Sequence, residues 1–63
     1  MDHTQAAADL GMDHAEATNN GEAVPKIYSG RQVALALGIS EDLTGAEYLA
    51  LRDAYQGGQS SYF

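Results

Sequence analysis

The chain contains no cysteine, no tryptophan and one proline, and it sets only three lysines and arginines against nine aspartates and glutamates. Without cysteine there is neither a disulfide nor a thiolate metal site, so two common staples of small folds are excluded. No apolar run approaches the ~20 residues that cross a bilayer, and no membrane span is expected. The opening residues, Met1-Asp2-His3-Thr4, hold neither a basic stretch nor an apolar one, so no secretory leader is expected. A scarcity of cations removes the electrostatic footprint of a nucleic-acid binder as well.

What is present points to a small helical body. The formal charge is −6, and 44% of the 63 residues are hydrophobic, too many for a fully disordered acidic chain. Much of that share is alanine, which favours helix more than core. A chain this short is one domain at most and buries only about 60% of the surface its unfolded form exposes. The expected fold is all-α, a single small domain over 1–63. It is read as a bundle of two to three short helices with an extended linker and a C-terminal tail.

Residues 1–24 read as an N-terminal helical segment. Asp2 caps a first helix with Gln5 reaching back, Gly11 stops it, and Asp13 opens a second short turn through Ala17. Thr18-Asn19-Asn20-Gly21 then breaks the pattern. Gly21–Tyr28 is a linker in which Pro25 pushes Val24 away from helical angles, and Val24, Ile27 and Tyr28 suggest a short edge strand. The helical core is expected over 29–56. Ser29 and Gln32 make a capping box for a helix over 30–38 that Gly38 ends. It is apolar nearly all round and is therefore expected to be the buried element. Thr44 and Glu47 make a second box, opening a helix that runs to about Gln56, where Gly57-Gly58 should end it. Gln5–Met12 is echoed by Gln32–Ile39, each reading as helix, glycine stop and apolar residue.

The segment Gln32–Ser40 resembles the first half of a bacterial helix-turn-helix motif, through Ala34, Gly38 four residues later and apolar Ile39 in the turn. The resemblance implies a DNA-binding regulator, but the second half departs from it. Glu41, Asp42 and Glu47 stand where a recognition helix needs basic or amide side chains. Direct nucleic-acid binding is therefore not expected, and what the resemblance leaves is a regulator that binds protein.

His3 and His14 would stand about 16 Å apart on one helix, and zinc ligands sit ~2 Å from their ion, so the two cannot share one. The Met1 amine with His3 offers a square-planar set for Cu(II) or Ni(II), as any third-position histidine does. Neither metal nor cofactor is expected. Ser29, Ser40, Ser60 and Ser61 lack a neighbouring base, and a body this small offers its carboxylates little concavity in which to part their pKa values. An enzyme is not expected.

The last helix is more telling. At about 100° per residue, Ala46, Leu49, Ala50 and Ala54 fall on one side and Tyr48, Leu51 and Tyr55 on the other. One apolar face can meet the core; the second needs another cover. The expected function is that of an acidic, stoichiometric binder seated in a basic groove on a larger protein or ribonucleoprotein, in competition with nucleic acid. Asp9, Asp13, Glu16, Glu41, Asp42, Glu47 and Asp53 would supply the charge, with Tyr48, Leu51, Tyr55 and Phe63 as buried anchors. In size and acidity the chain is similar to phage-encoded inhibitors of bacterial defence, such as anti-CRISPR proteins and nucleic-acid mimics. That likeness is compositional and implies the cytoplasm of a bacterium or infected host cell. The alternative reading is a structural or assembly subunit, for example a capsid-associated one, with both apolar faces covered in a larger complex.

Overall fold

Alanine recurs from Thr4 to Ala17 beside Gln5, Leu10, Met12 and Glu16, and such residues carry a helix across an isolated glycine. In the computed structural model, which describes residues 3–62, α1 (Thr4–Asn19) is accordingly one unbroken helix. The stop expected at Gly11 and the second start at Asp13 do not occur. The helix ends instead at Gly21, whose φ of +80° is the left-handed conformation that glycine adopts cheaply. There the Gly21 N–H donates to the Thr18 carbonyl at 3.0 Å and the Glu22 N–H to the Ala17 carbonyl at 2.9 Å, a Schellman closure. The expected Asp2 cap lies outside the described residues.

α2 (Gly30–Ala36) begins at the capping box read from the sequence. The Gln32 N–H donates to Ser29 Oγ at 3.3 Å, and the Ser29 N–H donates back to Gln32 Oε1 at 3.1 Å. Gly38, with φ +74°, ends it as expected, and the Ile39 N–H closes on the Ala34 carbonyl at 3.0 Å. Because the box satisfies two otherwise orphaned donors of a seven-residue helix, Ser29→Ala should lower unfolding stability by about 1 kcal/mol. A urea midpoint unmoved by that change would show the cap to be idle. α2 is not the fully buried element that its composition suggested. Gly30, Val33 and Ala34 are buried, but Leu35 is 73% exposed, because α3 covers one side of α2 and solvent meets the other.

α3 (Gly45–Tyr62) opens at the second capping box, with the Glu47 N–H donating to Thr44 Oγ1 at 3.2 Å and the Thr44 N–H to Glu47 Oε1 at 3.0 Å. It passes straight through Gly57-Gly58, so the expected end at Gln56 is corrected, and residues 57–62, of which 59–62 were read as tail, belong to the helix. No strand occurs among the described residues. The 22–28 stretch is irregular, with Ile27 against the core and Tyr28 71% exposed, since no second strand is at hand to pair with it.

The three helices share one core of Ala7, Val33, Ala34, Leu51 and Tyr55. α1 and α3 make the main contact, and α2 packs on α3. Small residues set the separation. Ala7, Gly11 and Ala15 recur every four residues along the buried side of α1. A Cβ at Gly11 would collide with the Tyr55 carbonyl and stand 3.1 Å from the Gln59 nitrogen. A Cβ at Gly58 would collide with the Ala8 carbonyl, and one at Gly30 with that of Tyr48. Backbone therefore lies on backbone at these points, with no side chain between the helices. At the other side of the packing, His3 Nε2 lies 2.8 Å from Glu41 Oε1 and ties the start of α1 to the connection that leads into α3. No helix among the described residues is long and apolar enough to cross a membrane.

Candidate functional site

The apolar anchors assigned from the sequence divide in the structure. Leu51 and Tyr55 are 3% and 2% exposed and belong to the chain's own core, so neither is an accessible anchor for a partner. This corrects their assignment. The face of α3 that carries them is the inward one, because it also carries Gly58, where α1 comes closest. Tyr55 has a polar tip to satisfy. Its hydroxyl lies 2.8 Å from His14 Nδ1 and accepts from Gln59 Nε2 at 3.2 Å, while the His14 ring meets the tyrosine edge-on. Burial raises the Tyr55 phenol above its ordinary value of 10. His14 is thus a part-buried structural residue, a role that its spacing from His3 had not suggested.

Tyr48 is different. It is only half buried, and the Arg31 guanidinium lies 5.3 Å from its ring centre, a cation–π contact between α2 and α3. On the outward face of α3, Ala46, Ala50 and Leu49 are exposed, Leu49 by 52%. Phe63 lies outside the described residues.

All seven acidic site residues are exposed, in two groups and a single. Asp9, Asp13 and Glu16, spaced four and three residues apart, form one stripe of α1. That stripe faces away from Ala7, Gly11 and Ala15, and Gln5 Nε2 donates to Asp9 at 3.1 Å. Glu41, Asp42 and Glu47 gather where α3 begins, near His3. Asp53 stands apart, 3.4 Å from Arg52. The first group serves no evident structural need. The second partly does, since acids near a helix start complement its dipole and Glu47 caps α3.

Glu47 has a carboxyl held below the ordinary 4.5 by its hydrogen bonds with Thr44, the backbone one foremost, and by the field of His3. A folded-state value below the unfolded one gives stability that is complete above about pH 4.5 and lost as pH falls through the folded value. Glu47→Gln should therefore flatten the acid side of the stability profile, read as a smaller difference between urea midpoints at pH 6 and pH 3. An unchanged difference would remove Glu47 from the acid response.

Two concave regions flank the connection between α2 and α3 and share Ile39, Ser40 and Glu41. One, of about 320 Å³, is completed by His3, Ala6, Leu37 and Gly38. The other, of about 270 Å³, is completed by Arg31, Ala34, Leu35, Asp42 and Tyr48. Leu35, Ile39 and Ser40 are site residues that sequence reasoning missed. The only available signal was an apolar helix with too many apolar sides for one neighbour. Among the described residues no three histidine or carboxylate side chains converge as a metal site would require. Comparison with protein-family models, with curated proteins and with solved structures finds no match for this chain.

Proposed function

We propose that the chain is a small acidic binding protein rather than an enzyme. It attaches in a fixed ratio to a basic surface on a larger protein or ribonucleoprotein and keeps nucleic acid from it, in the cytoplasm of a bacterium or infected host cell. The observation that carries this reading is the disposition of charge. Asp9, Asp13, Glu16, Glu41, Asp42, Glu47 and Asp53 are all turned to solvent on a body whose longest dimension is 34 Å, with only three basic side chains to offset them. Such a field speeds the approach of a basic partner and repels polyanions. Resemblance to phage-encoded competitors for nucleic-acid grooves rests on size and acidity alone.

The test is capture of partners from nuclease-treated bacterial lysate. Proteins held at low salt should be nucleic-acid binders, released by added duplex DNA and by raising salt from about 0.05 M to about 0.5 M, where screening shortens to a few ångströms. Replacing Glu41, Asp42 and Glu47 together by lysine should abolish their capture. Retention of the same partners by the reversed variant would overturn the proposal.

An assembly subunit is the second reading, supported by the exposure of Leu35, Leu49 and Tyr28. It predicts capture that resists salt, because burial of apolar area is not screened. The helix-turn-helix-derived regulator loses support from geometry. Residues 37–44 separate α2 from α3, a longer connection than that motif's turn of about three to four residues.

A further inference from the structure

We infer that the groove formed by Leu35, Ile39 and Tyr48, with Asp42 on its rim, receives an apolar side chain of the partner that has a lysine or arginine beside it. The inference rests on the acidic-binder reading above and gives it an apolar anchor point, which Leu51 and Tyr55 cannot supply from within the core.

Four observations converge on this groove. Leu35 is 73% exposed although it follows two buried residues, Val33 and Ala34, on a helix whose inner side is already satisfied. Ile39 and Tyr48 are each half buried, so a side chain laid between them and Leu35 would complete the burial of three apolar groups at once. Single exposed leucines are ordinary; three apolar groups lining one concavity are the pattern of an interaction site. At about 270 Å³ the concavity falls below the roughly 300–1,000 Å³ of small-molecule sites and suits one side chain of a larger partner.

The charges around it select that partner. Glu41 is engaged by His3 at 2.8 Å, but Asp42 has no hydrogen-bond or ion-pair partner among the described residues. A free carboxylate at the lip of an apolar groove asks for a cation and turns away a phosphate. Arg31, the groove's own cation, is drawn over the Tyr48 ring, 5.3 Å from its centre. A second copy of this chain would bring another −6 and is the wrong occupant. A basic amphipathic segment of a protein meets both demands.

The experiment is an amide-resolved NMR titration of the full chain at low salt. One probe is a synthetic amphipathic helix of lysine and leucine, about four turns long; the other is the same peptide with serine at every leucine. The leucine peptide should shift Leu35, Ile39, Asp42 and Tyr48, and should bind about tenfold more tightly than the serine peptide, a difference of about 1.4 kcal/mol. Leu35→Ser should erase that tenfold advantage, and Asp42→Asn should weaken the leucine peptide, both with unchanged far-UV circular dichroism. Glu22→Gln, at an exposed carboxylate outside the seven proposed for binding, should change neither. Equal binding of the two peptides, or shifts confined to Asp9, Asp13 and Glu16 with Leu35→Ser silent, would overturn the groove assignment and leave the acidic-binder reading standing. No binding of either cationic peptide would overturn both.

Discussion

Alanine at Gly58 is expected to destabilise the chain markedly, whereas alanine at Gly57, its neighbour, is expected to stabilise it. The two glycines share one helix and the same intrinsic cost, so helix propensity alone predicts a gain of about 1 kcal/mol for either change. Their surroundings differ. A Cβ at Gly57 meets nothing within 4 Å, while one at Gly58 collides with the Ala8 carbonyl and comes within 2.9 Å of the Ala8 carbonyl carbon. Backbone cannot swing aside as a side-chain end can, so α1 and α3 would have to separate along their whole contact. Overpacking of this kind costs about 1–3 kcal/mol and sometimes more. A chain of 63 residues has a total stability of only about 3–9 kcal/mol, taking about 0.05–0.15 kcal/mol per residue. Thermal melts by circular dichroism read both signs. Gly57→Ala should raise the midpoint by roughly 4–8 °C, and Gly58→Ala should lower it by at least as much. A Gly58→Ala protein that melts like the parent would refute the close backbone contact.

The second large effect contrasts the two sides of α3. Leu51→Ala should cost about 3 kcal/mol, within the range of about 2–5 for a buried leucine, because Leu51 is 3% exposed and touches the shared core. Leu49→Ala, at a residue 52% exposed, should stay within about 0.5 kcal/mol of the parent. Urea denaturation at neutral pH measures both. The contrast bears on function, because a Leu51 variant that loses its partner does so by unfolding, and only the outward residues report on binding. If Leu49→Ala were the more damaging, the inward and outward faces of α3 would have to be exchanged.

Where local chemistry is sufficient, the sequence could be read to the residue. Both capping boxes stand at Ser29 and Thr44 because they involve groups only three residues apart. The helical class is likewise legible, from alanine content and from the absence of alternating β-branched runs. The candidate site was half legible. Exposure of the seven carboxylates follows from their charge, but the groove at Leu35, Ile39 and Tyr48 depends on how α2 lies on α3, which no local pattern encodes.

Composition and short-range hydrogen bonding alone determined that this chain is acidic, helical and capped where it is. Tertiary contact decided what each glycine does, and the echoed segments Gln5–Met12 and Gln32–Ile39 show why. In one, Gly38 takes φ +74° and ends a helix; in the other, Gly11 sits mid-helix against Tyr55 and Gln59. A missing Cβ permits both a left-handed turn and a close approach of two backbones. Which of the two is realised depends on whether a second helix lies there to be approached.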